Sequence, residues 1–451
     1  SSGTACFNIF LGSCAGKSIT EGDNNVFLGD RAGCSNTTGQ RNFFVGGEAG
    51  VANTTGNNNT FFGGFAGQAN LSGSNNFFVG YTAGRCNTTG QYNNFIGQAA
   101  GTKNETGNYN NFIGQTAGCC NTTGSCNNFI GFSAGVGNTT GSINNMIGCG
   151  AGQCATVTGS HNTFLGSNAG KCATGSGQYN NFIGINAGCV NTTGSQNIFI
   201  GKSAGRSNDT GSCNNMIGVS AGQCATVTGS HNTFLGSYAG KCASGSGSCN
   251  NFIGRDAGFN NTTGSQNNFI GHVTGVGNTT GSCNNMIGVG AGRCAAVTGQ
   301  HNNFFGTYAG KSASGSGTYN TFIGYNAGKV NSSGSYNNFI GREAGCANTT
   351  GSANVFLGHR AGDCNTEGSL NTFIGSYAGR GNTTGDTNVF LGNNVGAANT
   401  SGGSNIYIGS GIADSVNSSC ANANIVIGQC SAKCISGNCN IILGCCTGGQ
   451  A

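Results

Sequence analysis

Residues 110–131 read NNFIGQTAGCCNTTGSCNNFIG. Two apolar residues, Phe112 and Ile113, sit between polar Asn and turn-forming Gly, and the same five letters return 17 residues later. So short an apolar run, bounded by Asn and Gly, predicts a brief strand between turns. Anchoring each unit on the Gly that closes the triplet gives a series from Gly12, Gly29 and Gly46 to Gly409, Gly428 and Gly444, 26 units in all. Most spacings are 17. Pairs of 18 fall at Gly148–Gly166–Gly184, Gly218–Gly236–Gly254 and Gly288–Gly306–Gly324, and a 19 and a 16 end the series. A slower rhythm lies over this one, because His161, His231 and His301 are 70 residues apart, the mark of tandem duplication.

A 17-residue unit is too short for a helix pair or a propeller blade, and it suits one coil of a solenoid. The predicted fold is all-β: a parallel β-solenoid (β-helix or β-roll) of about 26 coils of 17–18 residues. At about 4.8 Å per rung such a rod would be about 125 Å long. The predicted organisation is a continuous array over residues 1–409, then irregular Cys-rich terminal coils or a cap over 410–451.

Every anchor Gly is preceded at four residues by Asn. Asn8, Asn25, Asn42, Asn110, Asn127 and Asn197 exemplify this row. Asn repeated in register stacks its amides along the axis, which predicts a core Asn ladder. The Phe–Ile pair poses a different problem, because adjacent strand residues point to opposite faces. One of the two rows must face outward unless a bulged corner tucks both inside. We assign the outward row to the first position, with Phe95, Phe112, Phe129 and Phe182 as a self-association stripe. A long exposed apolar row is more than a soluble monomer tolerates, so it predicts a homotrimer packed along its axis, or filament neighbours.

Composition narrows the picture further. Gly is 88 of 451 residues, Pro and Trp are absent, and only 6% of residues are charged. That much Gly disfavours helices, and the missing Pro excludes collagen. Disorder is countered by a 36% hydrophobic fraction placed with strict regularity. Sparse charge fits stacked coils, where like side chains one rung apart repel. The net charge of +5 comes from 17 scattered basic residues with no run, so nucleic acid is not an expected partner. No stretch approaches 18 apolar residues, so no membrane insertion is expected. The 25 Cys and the absence of a signal peptide before Ser1 suggest a mature product or segment, extracellular or on a cell or virion surface.

The phrase N-x-F-I-G-x-x-A-G, as in Asn110–Gly118 and Asn180–Gly188, resembles the head repeats of trimeric autotransporter adhesins. The Asn/Gly/Thr repeats are also similar to those of some bacterial surface and phage tail-fibre proteins. The resemblance implies a parallel β-roll that trimerises and binds host matrix or cells, so cell-surface or matrix glycans join the expected partners. It covers every coil through a short motif. The coil here is longer and its cysteine content is foreign to the adhesin family.

Several candidate sites recur. Asn36, Asn53, Asn87, Asn121, Asn138, Asn191, Asn278, Asn348 and Asn382 open N-x-S/T sequons on predicted turns, so glycosylation is weighed against plain turn formation. Adjacent threonines raise an ice-binding reading. Cys154 with Cys172, and Cys224 with Cys242, occupy equivalent places on successive coils and predict disulfide staples. Cys120 and Cys126 flank one turn and could close it. Cys420, Cys430, Cys434, Cys439, Cys445 and Cys446 suggest a disulfide-locked cap, favoured over zinc because no His accompanies them. Ser133, Ser203 and Ser220 fall in G-x-S-x-G phrases, but other coils replace the Ser freely. No catalytic residue, metal site or cofactor is expected. The expected role is structural: a shaft or subunit of a surface fibre, filament or adhesin. The alternative is an ice- or carbohydrate-binding solenoid using a lateral Thr/Asn ladder.

Overall fold

The computed structural model describes residues 5–153, 158–173, 175–224, 228–243, 245–293, 297–413, 421–432, 435 and 437–446. The chain divides into two compact units, Ser1–Thr228 and Gly229–Ala451. In the first, strands run from β1 (Ile9–Leu11) to β13 (Asn215–Ile217). In the second they run from β14 (Thr233–Leu235) to β26 (Ile441–Leu443). Within each unit every strand pairs in parallel with its successor, Phe112 opposite Phe129 in the first and Phe322 opposite Phe339 in the second. No helix occurs among the described residues. The fold is the predicted parallel β-solenoid.

The coil from Asn110 to Cys126 shows why this sequence winds this way. Its strand holds only Asn111, Phe112 and Ile113, because Gly114 follows with φ of 136°, a region open essentially to glycine alone. A Cβ there would also collide with the Gly131 carbonyl of the next coil. After a turn, Ala117 and Gly118 pass beneath the strand, both buried. A Cβ on Gly118 would lie 2.6 Å from the Phe112 ring, so this corner closes directly onto the aromatic. Backbone bonds then tie coil to coil. Asn111 N–H donates to Asn127 C=O at 2.8 Å, and Gly118 N–H to Ala134 C=O at 2.9 Å.

The interior is a column of rings. Phe95, Phe112 and Phe129 stack at centroid distances of 4.8 Å with interplanar angles of 7° and 3°. The second unit repeats the arrangement at Phe356, Phe373 and Phe390, also 4.8 Å apart. Met146, Met216 and Met286 take the same place and are equally buried. Burying one such side chain contributes about 1.5–3 kcal/mol, and the offset ring pairs add to that.

In most coils two non-glycine residues adopt left-handed backbone, Thr116 (φ 57°) and Cys126 (φ 58°) in this one. Each costs about 1–2 kcal/mol locally. The ladders above and below hold them there. In the 18-residue coils Ala173, Ala243 and Ala313 stand, buried, where other coils carry the NTTG asparagine. Beside Ala173, between Asn162, Asn180 and Asn191, lies a void of about 10 Å³, about the space one water requires.

Candidate functional site

The middle strand residue points inward, so the first and third face out together. This corrects the assignment of the stripe. Phe95, Phe112, Phe129 and Phe182 are completely buried and cannot meet a neighbour. The outward apolar row is the next residue along: Ile96, Ile113, Ile130 and Ile183 in the first unit, Ile323, Ile340, Leu357 and Ile374 in the second. These are half-buried to exposed, reaching 43% at Leu357. Beside this row runs the first strand position. It carries an amide ladder over part of its length, Asn94 Nδ2 donating to Asn111 Oδ1 and Asn111 Nδ2 to Asn128 Oδ1, both at 2.8 Å. Elsewhere it is apolar, as at Phe43, Phe77 and Ile198, or threonine, as at Thr60 and Thr163. Each unit thus presents a regular sheet face of apolar side chains and, in places, laddered amides.

The core asparagines are where the sequence reading put them. Asn25, Asn42, Asn110, Asn127 and Asn197 are buried and Asn8 is half-buried. Their bonding differs from amide-on-amide stacking alone. Asn110 Oδ1 accepts the backbone N–H of Asn127 at 3.0 Å, and Asn110 Nδ2 donates to Gly124 C=O at 2.8 Å. The side chain therefore replaces a missing backbone partner at the corner.

A second ladder does stack amide on amide, and it is made of the sequon asparagines. Asn53 Nδ2 donates to Asn36 Oδ1 at 2.7 Å, and Asn138 Nδ2 to Asn121 Oδ1 at 2.7 Å. Each also donates its other hydrogen to the Gly three residues on, as Asn121 does to Gly124 at 2.9 Å. Asn36, Asn53, Asn87, Asn121, Asn138, Asn191, Asn278, Asn348 and Asn382 are all buried. An N-linked glycan needs the Nδ2 that these bonds consume and the space that the coil fills. The folded coils therefore have no place for glycans at these nine positions.

Of the paired threonines, the first turns its hydroxyl along the axis. Thr37 Oγ1 donates to Thr54 C=O at 3.1 Å and Thr122 Oγ1 to Thr139 C=O at 3.1 Å. The second, as at Thr55, Thr89 and Thr123, stays exposed. Only one row of free hydroxyls therefore exists on this turn, which weakens the ice-binding reading. Near it, at the left-handed position before the core Asn, lies a row of exposed side chains. Tyr92 and Tyr109 stack there at 4.9 Å and 1°, and His301, Tyr319 and Tyr336 stack at 4.8 and 5.2 Å.

The predicted disulfides fare differently from the ladders. Cys154, Cys420 and Cys434 lie outside the described residues. Cys224 is an exposed thiol and Cys172 and Cys242 are half-buried. Cys120 and Cys126 are both thiols, so they do not close their turn. Cys120 Sγ instead lies 3.7 Å from Cys119 Sγ, and burial together with Cys120 pushes the Cys119 thiol up to about 12. Cys430, Cys439, Cys445 and Cys446 are thiols as well. Among the described residues, no three His, Cys, Asp or Glu side chains gather to hold a metal ion. Ser133, within its G-x-S-x-G phrase, has φ of 54° like its non-serine counterparts, and its hydroxyl meets Thr116 Oγ1 at 3.0 Å.

Charge concentrates in one place. Arg360 Nε donates to Glu343 at 2.6 Å and lies 3.8 Å from Asp363. Arg360 holds the Glu343 carboxyl below its ordinary range, while burial raises that of Asp363. The same coil positions hold a simpler pair in the first unit, where Arg31 Nη1 donates to Glu48 Oε1 at 3.1 Å.

No protein-family model matches the chain, and no curated protein is significantly similar to it.

Proposed function

We propose that this chain is a structural protein, a rod-like shaft or subunit of an extracellular fibre or filament that associates with copies of itself along the outward strand face. One observation supports this above the others: the unbroken apolar third-position row, as at Ile323, Ile340, Leu357 and Ile374. A row of aliphatic side chains on an in-register sheet gives up water readily when two copies meet. The neighbouring amides bond to one another along the axis, as Asn94 does to Asn111, so those bonds survive when the face is covered. The similarity of the N-x-F-I-G phrase to adhesin heads and tail-fibre repeats agrees with a surface setting and with a homotrimer or filament. Catalysis and cofactors have no part in this reading.

Sedimentation velocity across a hundredfold concentration range tests it. The wild-type chain is expected to assemble, and the triple variant Ile340→Lys, Leu357→Lys, Ile374→Lys to weaken assembly while keeping its β-sheet circular dichroism. A wild-type chain that stays monomeric at every concentration contradicts the proposal.

A further inference from the structure

Away from the strand face, on the NTTG turn of the first unit, an open groove of about 320 Å³ lies between Thr38, Gln40 and Arg41 of one coil and Thr55, Asn57 and Asn58 of the next. Its making follows from the coil. The second threonines form one wall, with their hydroxyls exposed. The left-handed residues, Arg41 (φ 55°) and Asn58 (φ 56°), form the other, because that backbone throws the side chain outward. Gln40 and Asn57 form the floor, and Asn57 Oδ1 accepts the Gln40 N–H at 2.7 Å. With Oδ1 so engaged, Asn57 Nδ2 is the group this side chain can offer a ligand.

The two walls continue down the unit, through Ser72 and Asn75, Thr89 and Tyr92, and Thr106 and Tyr109. Short Asn75 stands between the groove and Tyr92. Tyr92 gives one ring face to Tyr109 at 4.9 Å, and its other face looks back along the axis over Asn75. Five rungs at about 4.8 Å make a polar track of about 19 Å with an aromatic step at one end.

We infer that this groove binds a linear, uncharged polysaccharide lying along the solenoid axis. Hydroxyls and carboxamides, which both donate and accept, match a ligand whose every residue does the same, and a ring face suits the apolar side of a pyranose. Charge argues against a polyanion. Arg41 is the one cation in the groove, and Glu21 and Asp23 occupy the equivalent positions on the preceding coil. The volume falls within the range of pockets that hold small ligands, and the track's length admits several sugar residues. This site is independent of the strand face, so it can stand or fall apart from self-association.

Native affinity electrophoresis of the full chain tests it, in gels containing hydroxyethyl cellulose, xylan or galactomannan, with heparin as the charged comparison. Retardation by at least one neutral polysaccharide and none by heparin is expected. The variant Thr55→Val, Asn57→Ala, Asn58→Ala is expected to lose about tenfold in affinity. So is a second variant at other rungs, Thr89→Val with Tyr92→Leu, while the Ile340, Leu357 and Ile374 lysine variant binds as wild type. Failure of all three neutral polysaccharides to retard the chain overturns the inference. So does stronger retardation by heparin, or retardation that both groove variants keep.

Discussion

Replacing Asn121 with Ala probes the second ladder where it is most regular. The side chain donates to Asn104 Oδ1 at 2.8 Å and to Gly124 C=O at 2.9 Å, and accepts from Asn138 Nδ2 at 2.7 Å. Three buried bonds at about 1 kcal/mol each, with partners left short of water, give an expected loss of about 3–5 kcal/mol. The loss should be local, because each coil of a solenoid touches only its neighbours. Hydrogen exchange is therefore the right assay. The Thr122 amide, which donates to Thr139 C=O at 2.8 Å, should exchange roughly a hundredfold faster or more. Thr123→Ala, at an exposed site of the same turn, should change it little. Equal effects of the two substitutions would show that the sequon asparagine is an ordinary turn residue, and the ladder argument would fail.

Three further outcomes follow from the same geometry. Gly118→Ala should cost about 2 kcal/mol or more in urea unfolding, since its Cβ would meet the Phe112 ring at 2.6 Å with φ at 58°. Gly47→Ala, with nothing within 4 Å, should be tolerated. Tyr407→Phe should stabilise by about 1 kcal/mol in thermal unfolding. Tyr407 continues the ring column 4.8 Å from Phe390 with its buried hydroxyl lacking a well-formed hydrogen bond, because the neighbouring Asn424 Nδ2 is already committed to Asn405 Oδ1 and Gly437 C=O. Cys119, held up to about 12 from 9.0, keeps its proton in the folded chain while the unfolded chain releases it. Stability should therefore decline as pH rises above about 9, and iodoacetamide at that pH should modify exposed Cys126 well before Cys119.

The solenoid, its strand positions and the Asn row four residues before each Gly were legible because a coil that stacks on itself must repeat its letters. The orientation of the Phe–Ile pair is written in how constant each position is. The position holding Phe112 varies little along the chain, whereas its neighbour alternates among Ile, Leu, Val and Phe, as an outward residue can. The burial of Asn121 and its equivalents was hidden by a sequon that has an independent meaning. Its clue was the Ala at 173, 243 and 313, a small apolar residue that would be odd on an exposed turn. The left-handed backbone at Thr116 and Cys126 has no signature at all. The second of these positions is filled elsewhere by Tyr109, Ile143, His161 or Gln196, because neighbouring coils impose the conformation whatever the side chain.

Oxidative footprinting by mass spectrometry, run from dilute to concentrated protein, tests the central claim most directly. Phe95, Phe112 and Phe129 should resist oxidation at every concentration. Ile113, Ile340 and Leu357 should be oxidised in dilute protein and protected as it concentrates. Phe rings that oxidise as readily as their Ile neighbours, or an Ile row equally reactive throughout, would contradict a solenoid that keeps its rings inside and associates through the row beside them.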